Sequence, residues 1–472
     1  MTSSRFAFAA LLLSSAAVVE VRPVHAQTLP EALALAYSNN PTLQAARANL
    51  RAVDENVPQA LAGWRPTVQI TGSGGQQTSS SVGQPTLGGP RQDTAWRSRD
   101  IYTLQGTVTQ PLYRGGRTTA QTRRAENQVM AQRARLFATE QQVLQDTVTA
   151  YVQVIQLQEE VRLNTNNVQV LTRQLQATNE RFRVGEITRT DVAQAESRLA
   201  GSIATRADSE GRLQQARATF TRVVGQAPQR LVPPQPLRAV VNSTQEASAS
   251  AAQNNPNVVA ALFDEASARD NIDIQFSNLL PQVSLNGSVF RQDNQTTDGL
   301  RQNGTQLTAN LTVPLYQGGA EYSLVRQARQ QAQQARMVVE DQRRAASQQA
   351  TQAFETLTSA RAQVEANRAQ IRAAEIALDG VQREAIVGSR TTLDVLNAEQ
   401  ELLNARVALV RGLAAVIIAS HNLAVQVGRM TARDLNLQVE FYDMEAYYRA
   451  VRNRWVGWGD LSAERVAAER LN

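Results

Sequence analysis

Few side chains in this sequence have chemistry to offer. Its 472 residues include no cysteine and two histidines, one of which, His421, stands alone on an apolar stretch. A solitary histidine in that setting is a packed core or interface residue far more often than a ligand. No nucleophile motif, Gly-rich phosphate loop or clustered metal spacing occurs, so neither catalysis nor a cofactor nor a metal is expected. What remains is charge at a repeated position. Asp191 and Asp394 each follow a Val-Gly pair, Val184-Gly185 and Val387-Gly388, at the same distance. A carboxylate there compensates the partial positive charge of a helix N-terminus.

The elements that position these residues are duplicated. Pro111-Leu112-Tyr113-Arg114-Gly115-Gly116 is echoed by Pro314-Leu315-Tyr316-Gln317-Gly318-Gly319, and in both copies the Val-Gly glycine lies 74 residues beyond the proline. Asp191 with Asp394, Ala195-Glu196 with Ala398-Glu399, and Val224-Gly225 with Val427-Gly428 keep one offset of 203. Upstream, Asn39-Asn40-Pro41 and Pro66 match Asn254-Asn255-Pro256 and Pro281 at an offset of 215. The difference of 12 falls between Pro66 and Pro111, where Ser73 to Arg99 is rich in Gly, Ser, Gln and Pro. One lengthened loop is therefore expected, with the elements left alone.

Aromatic residues make up only 5% of the chain, and Ala, Gln and Arg abound, a composition of long helices. The formal net charge is +6 and every basic side chain is arginine. The arginines are interleaved with acidic residues and never run beyond two together, which suits solvated helix faces and argues against nucleic acid. Residues 1–26 have the pattern of a cleaved signal peptide: Arg5, an apolar middle from Phe6 to Val19, and Val24-His25-Ala26. No later run of some 18 apolar residues is evident, so no transmembrane helix is expected.

Each repeat, 27–230 and 246–430, is expected to open with a short helix capped by Asn40 or Asn255. Period-two alternation then marks strands at about 66–76 and 100–110, and at about 281–290 and 305–313. Val68, Ile70, Leu104 and Val108 alternate with threonines and glutamines, and Val283, Leu285 and Val289 with Ser284, Asn286 and Ser288. Strands of about ten residues with one apolar and one polar face suit a tilted crossing of a bilayer around a wet lumen. Four strands cannot close such a barrel, whose smallest bacterial form has about eight, so spanning requires oligomerisation. Tyr113 and Tyr316 at the strand ends suit an interfacial aromatic belt.

Beyond each Gly-Gly comes a long stretch free of proline, Arg117 to Val184 and Ala320 to Val387, enough for a helix of about 100 Å. Val154, Val161, Val168 and Leu175 keep a heptad spacing, as do Leu357, Val364, Ile371 and Leu378, and the returning segments keep it too. Helical hairpins over 117–225 and 320–428 follow, turning at the Val-Gly pairs. A Pro-rich linker spans 231–245, and an aromatic tail, 431–472, is expected to pack outside the helices near their middle.

This architecture resembles the TolC-like outer-membrane factors, the exit ducts of tripartite efflux pumps and type I secretion systems. The resemblance implies a mixed α/β membrane protein: a homotrimer whose twelve strands form one barrel in outer-membrane lipid, continued by a periplasmic coiled-coil tunnel. It implies docking of a periplasmic adaptor around Val184, Gly185, Val387 and Gly388, and an inner-membrane pump or ABC transporter that supplies energy. By position, Arg390 and Asp394 match the family's gating arginine and first gating aspartate, and Asp191 the acidic partner the arginine meets. Asn397 stands where a second aspartate is usual, and Ala385 where a gate tyrosine is. The residues alone also allow a secreted coiled-coil scaffold or adaptor without a channel.

Overall fold

The computed structural model describes residues 26–80, 96–238 and 241–459. The expected signal segment, apart from Ala26, lies outside them, as do most of the lengthened loop and the last part of the tail. The first repeat holds α1 (Leu29–Asn39), α2 (Pro41–Asp54), α3 (Asn56–Leu61), β1 (Thr67–Ser79), β2 (Arg97–Arg114), α4 (Arg117–Arg183) and α5 (Arg189–Val224). The second holds α6 (Thr244–Asn254), α7 (Pro256–Phe276), β3 (Gln282–Asp293), β4 (Arg301–Thr312), α8 (Ala320–Ile386) and α9 (Thr392–Gln426), and α10 (Ala446–Val451) follows.

Each repeat opens with more than the single short helix expected, because the Asn-Pro step divides the stretch. Asn40 is extended, and its carboxamide oxygen accepts from the Thr42 N–H at 2.9 Å. Its amide donates to the Val223 carbonyl at 2.9 Å, tying the α1–α2 joint to the far end of α5. Asn255 repeats this with the Asn257 N–H and the Gln426 carbonyl. One polar residue thus caps a helix and closes each repeat on itself.

The four strands form one antiparallel sheet in the order β1-β2-β3-β4, so the β2–β3 ladder joins the two repeats. All four run further toward their loops than the alternation suggested, since Gly, Ser and Gln of low strand preference are held there by cross-strand pairing. β2 also continues through Pro111 to Arg114, with an irregularity opposite Ser284 and Val283. The equivalent Pro314 to Tyr316 lies beyond the end of β4. The difference has a simple cause: β2 has β3 beside it there, and β4 is an edge.

Burial is densest in the first half of α4, where α1, α2, α3 and α7 lie against it, and thins toward the hairpin turn. The main core gathers Leu33, Leu43, Leu144, Val148, Tyr151, Phe220 and Met430; a second holds Ala251, Ala350, Leu357, Leu423 and Val427. A third, smaller cluster holds Val57, Ala125 and Val129, and toward the tips the buried apolar residues narrow to the two-helix seams, with Leu171 and Ala195 in the first hairpin and Leu402 in the second. Against expectation, α9 carries a window of mean hydropathy 1.8, long and apolar enough by composition to cross a membrane. Arg411 interrupts that run in sequence, but α9 packs on both α8 and α4 and so is apolar on more than one side.

The Pro-rich linker is strapped down. Leu231 bridges to Gln27, and the Tyr151 hydroxyl lies 2.7 Å from the Val232 carbonyl and accepts from the Val232 N–H at 3.0 Å. Burial raises the Tyr151 phenol to about 12. Tyr151→Phe takes the donor from the Val232 carbonyl, while the Val232 N–H keeps its bond to the Gln27 carbonyl at 3.2 Å, and is expected to cost about 1–3 kcal/mol. Thermal unfolding followed by helical circular dichroism measures it; an unchanged midpoint would show that water takes over the bonds.

Candidate functional site

The sheet is two-faced. In register across it, Val68, Val108, Gly287 and Leu307 form one row, and Ile70, Gly106, Val289 and Thr305 the next. Their large apolar side chains are exposed, Leu307 by 73% and Ile70 by 76%. The opposite face carries rows such as Thr67, Thr109, Asn286 and Thr308, then Gln69, Thr107, Ser288 and Gln306. Phe290, on the polar face, breaks the pattern; it lies over Gly304, where a Cβ would come within 2.5 Å of its ring. An apolar face left open to this extent needs a cover. Among the described residues, β1 and β4 are each paired on one side only.

The strand-to-helix junctions depend on glycine. Gly115, Gly116, Gly318 and Gly319 all have positive φ, between 61° and 83°, and Gly116 and Gly319 are the N-caps of α4 and α8. At Gly115 space adds to conformation, because a Cβ would meet the Ser277 carbonyl at 2.7 Å. Tyr113 and Tyr316 are exposed beside these turns.

At the other end, Gly185 and Gly388 end the outgoing helices, both with φ near +80°. Val184, Ile386 and Val387 are each more than three-quarters exposed, so both tips present apolar side chains. Asp191 and Asp394 close capping boxes: each carboxylate accepts from the backbone and hydroxyl of Thr188 or Thr391 at 2.7–3.0 Å. The Thr188 hydroxyl and backbone hold Asp191 below the usual carboxylate range, and the Thr391 backbone and hydroxyl do the same for Asp394. Both are therefore anionic at neutral pH.

Arg390 makes its ion pair with Glu384 in its own turn, at 2.8 Å, and Asp191 is engaged by Thr188. Asn397 accepts from Arg198 of α5 at 2.8 Å, a contact between the two hairpins. Ala385 sits beside Glu384 in the last turn of α8.

Sequence reading missed the pair that joins the hairpins higher up. Arg411 of α9 makes two hydrogen bonds, 2.9 and 3.0 Å, to Glu160 of α4. Burial works to raise the Glu160 pKa, and the bonds from Arg411 and Gln156 outweigh it, holding the carboxyl low. This pair borders a polar cleft of about 750 Å³ on its tip side, lined by Asn164, Asp208, Arg212, Asn367 and Asn404 among others. The one signal in the sequence was an arginine set into an apolar run.

An open two-faced sheet continued by two long helical hairpins defines a strand-and-helix duct protein. The chain belongs to the outer membrane efflux protein family, whose model matches residues 32–226 and 247–429, one match per repeat. It is 37% identical over 450 residues to the outer membrane efflux protein BepC of Brucella suis, covering 95% of this chain and 96% of that one. It is 26% identical to the outer membrane protein TolC of Vibrio cholerae over 90% of this chain and 96% of the other. The crystal structure of the Campylobacter jejuni CmeC outer membrane channel superposes with a TM-score of 0.74 at 15% identity, over 90% of this chain and 89% of that chain. The TolC-like resemblance and its channel fold therefore hold, and the chain is an exit channel of this outer-membrane class.

Proposed function

We propose that three copies of this chain, exported by a cleaved signal peptide, close their sheets into one twelve-stranded barrel in the outer membrane. The observation that carries this is the sheet itself: one exposed apolar face, one polar face, and two edges unpaired among the described residues, which further copies would fill. The apolar face meets lipid and the polar face lines a water-filled lumen. The helical hairpins continue the lumen as a periplasmic tunnel. The channel is passive; no nucleotide site is present in the sequence, so an inner-membrane pump or ABC transporter supplies the energy.

The exposed Val184, Val387 and their glycine turns suit docking of a periplasmic adaptor. The adaptor opens the duct by binding the tips better in the open state, shifting α8 and α9 away from the axis. An efflux duty follows that of the BepC relative. In the assembled tip, Arg390 exchanges Glu384 for Asp191 of a neighbouring copy, and Asp394 forms the anionic ring.

Conductance of the mature protein in planar bilayers, with oligomer mass in detergent, tests the reading. Long-lived, cation-selective channels from a trimer are expected. A water-soluble species without current would establish a coiled-coil scaffold instead. Asp394→Asn keeps a hydrogen-bonding side chain at the cap and removes the charge, so it is expected to lower cation selectivity without loss of trimer. Unchanged selectivity would leave Asp394 with its capping role alone.

A further inference from the structure

The four tryptophans of the chain stand at the two ends of the sheet. Trp96 immediately precedes β2 at the loop end, and Trp64 lies just before β1 at the end where strands meet helices. The Trp64 carbonyl accepts from Gln110 of β2, which fixes it there. Trp455 and Trp458 belong to the C-terminal segment, yet they arrive at the same end as Trp64. Arg65 donates to the Arg454 carbonyl at 2.7 Å, and its guanidinium lies 4.9 Å over the Trp455 ring.

The path of the tail explains this meeting. It leaves the core at Met430 and climbs the outside of α4, held by Glu140 to the Ala432 N–H, Arg133 to Glu445, and Glu126 to Arg452. Descending residue numbers on α4 lead toward the sheet, so the tail rises past the middle of the helices, where it was expected to stay, to the base of the strands. There Arg454 donates to the Val456 and Gly459 carbonyls, and Gly457 adopts φ +113°, which curls the segment around the arginine.

The curl satisfies backbone groups and leaves the apolar side chains outside. Trp455 and Val456 are largely exposed and Trp458 fully so, three neighbouring apolar side chains within four residues at the base of the strands. The exposed apolar face of the sheet begins immediately above, at Val68 and Val108. Indoles are enriched where a bilayer meets water, and arginine pairs well with phosphate.

We infer that the Trp455-Val456-Gly457-Trp458 segment is a membrane-interface anchor, seated among phospholipid headgroups of the leaflet that meets the helical end of the barrel, with Arg65 as its clamp. The inference rests on the sheet spanning the membrane. The tail then fixes the depth at which the barrel sits, by adding two indoles per copy to the belt begun by Trp64 and Tyr113.

The test uses two full-length variants reconstituted into phosphatidylcholine vesicles, with and without bromine on the acyl chains. Trp64→Phe with Trp96→Phe leaves only the tail indoles; Trp64→Phe with Trp455→Phe and Trp458→Phe leaves only Trp96. Quenching by brominated lipid is expected in both, with tail emission shifted to the blue of a solvent-exposed indole. Quenching of Trp96 without quenching of the tail would overturn the anchor and leave the barrel standing. In that event, blue-shifted tail emission would assign the indoles to a protein contact, and unshifted emission to water. Absence of quenching in both variants would overturn the anchor together with the membrane-spanning sheet.

Discussion

Leu307→Arg is expected to abolish the stable trimer in the membrane, whereas Thr308→Arg, one residue further on, is expected to leave a folded channel with altered conductance. Leu307 lies midway along β4 on the exposed apolar face, in the row shared by Val68, Val108 and Gly287. An arginine near the bilayer midplane on the lipid face costs about 2–4 kcal/mol, and here it would be paid three times in one barrel. Thr308 points to the opposite face, in the row of Thr67, Thr109 and Asn286, where a charge meets water. Heat-resistant oligomer on denaturing gels and single-channel current separate the two outcomes. Equal behaviour of the two variants would mean that the sheet faces have been assigned the wrong way or that neither meets lipid.

The second large effect concerns the seam between the hairpins. The Glu160 side chain is 4% exposed and that of Arg411 56%, so the two ends of this ion pair are not equivalent. Arg411→Ala strands a buried carboxylate and is expected to destabilise by about 3 kcal/mol, the low end for an orphaned buried charge because its partner is half in water. Glu160→Gln leaves an arginine that solvent can reach, and is expected to cost about 1 kcal/mol. Acid should narrow the gap. The folded-state pKa of Glu160 is depressed, so its contribution is present above the pKa of an unfolded glutamate and lost as pH falls through the folded value. Thermal unfolding of both variants and the parent at neutral and acid pH measures the asymmetry. Equal losses from the two substitutions, or a gap that widens in acid, would contradict this account of the pair.

The fold was legible because repetition and periodicity are local properties of a sequence. The ungapped register downstream of the Pro-Leu-Tyr motifs located the glycine turns Gly115, Gly185, Gly318 and Gly388, and alternation located the four strands. Strand ends were less legible: Thr78 and Ser79 read as loop, and only their pairing with Ser98 and Arg97 makes them strand. The site was legible in part. Although the threonines that point to this in sequence, Thr190 and Thr392, lie inside the first turn, and the caps are Thr188 and Thr391, Asp191 and Asp394 could be placed at helix starts. Their partners could not, because pairings such as Arg411 with Glu160 and Arg198 with Asn397 join residues about 200 to 250 apart, and spacing carries no trace of them. Arg390 shows the same limit from the other side: within one chain its ion-pair partner is Glu384, six residues back, a pair that sequence reading did not name. The tail was the least legible, because it has no counterpart in the other repeat and its course is set by what α4 and Arg65 offer.

The duplication also bears on how such a ring can evolve. In the proposed trimer, an unfused chain of half this length would place every substitution six times around the circle, so that one new charge at the tip became six. With two fused copies a change appears three times, alternating with an untouched neighbour. At the offset of 203, Arg390 faces Ile187 and Asn397 faces Gln194. With two unlike copies in one chain, the proposed ring can carry a change in one hairpin, such as the Arg390 charge, that its twin does not share.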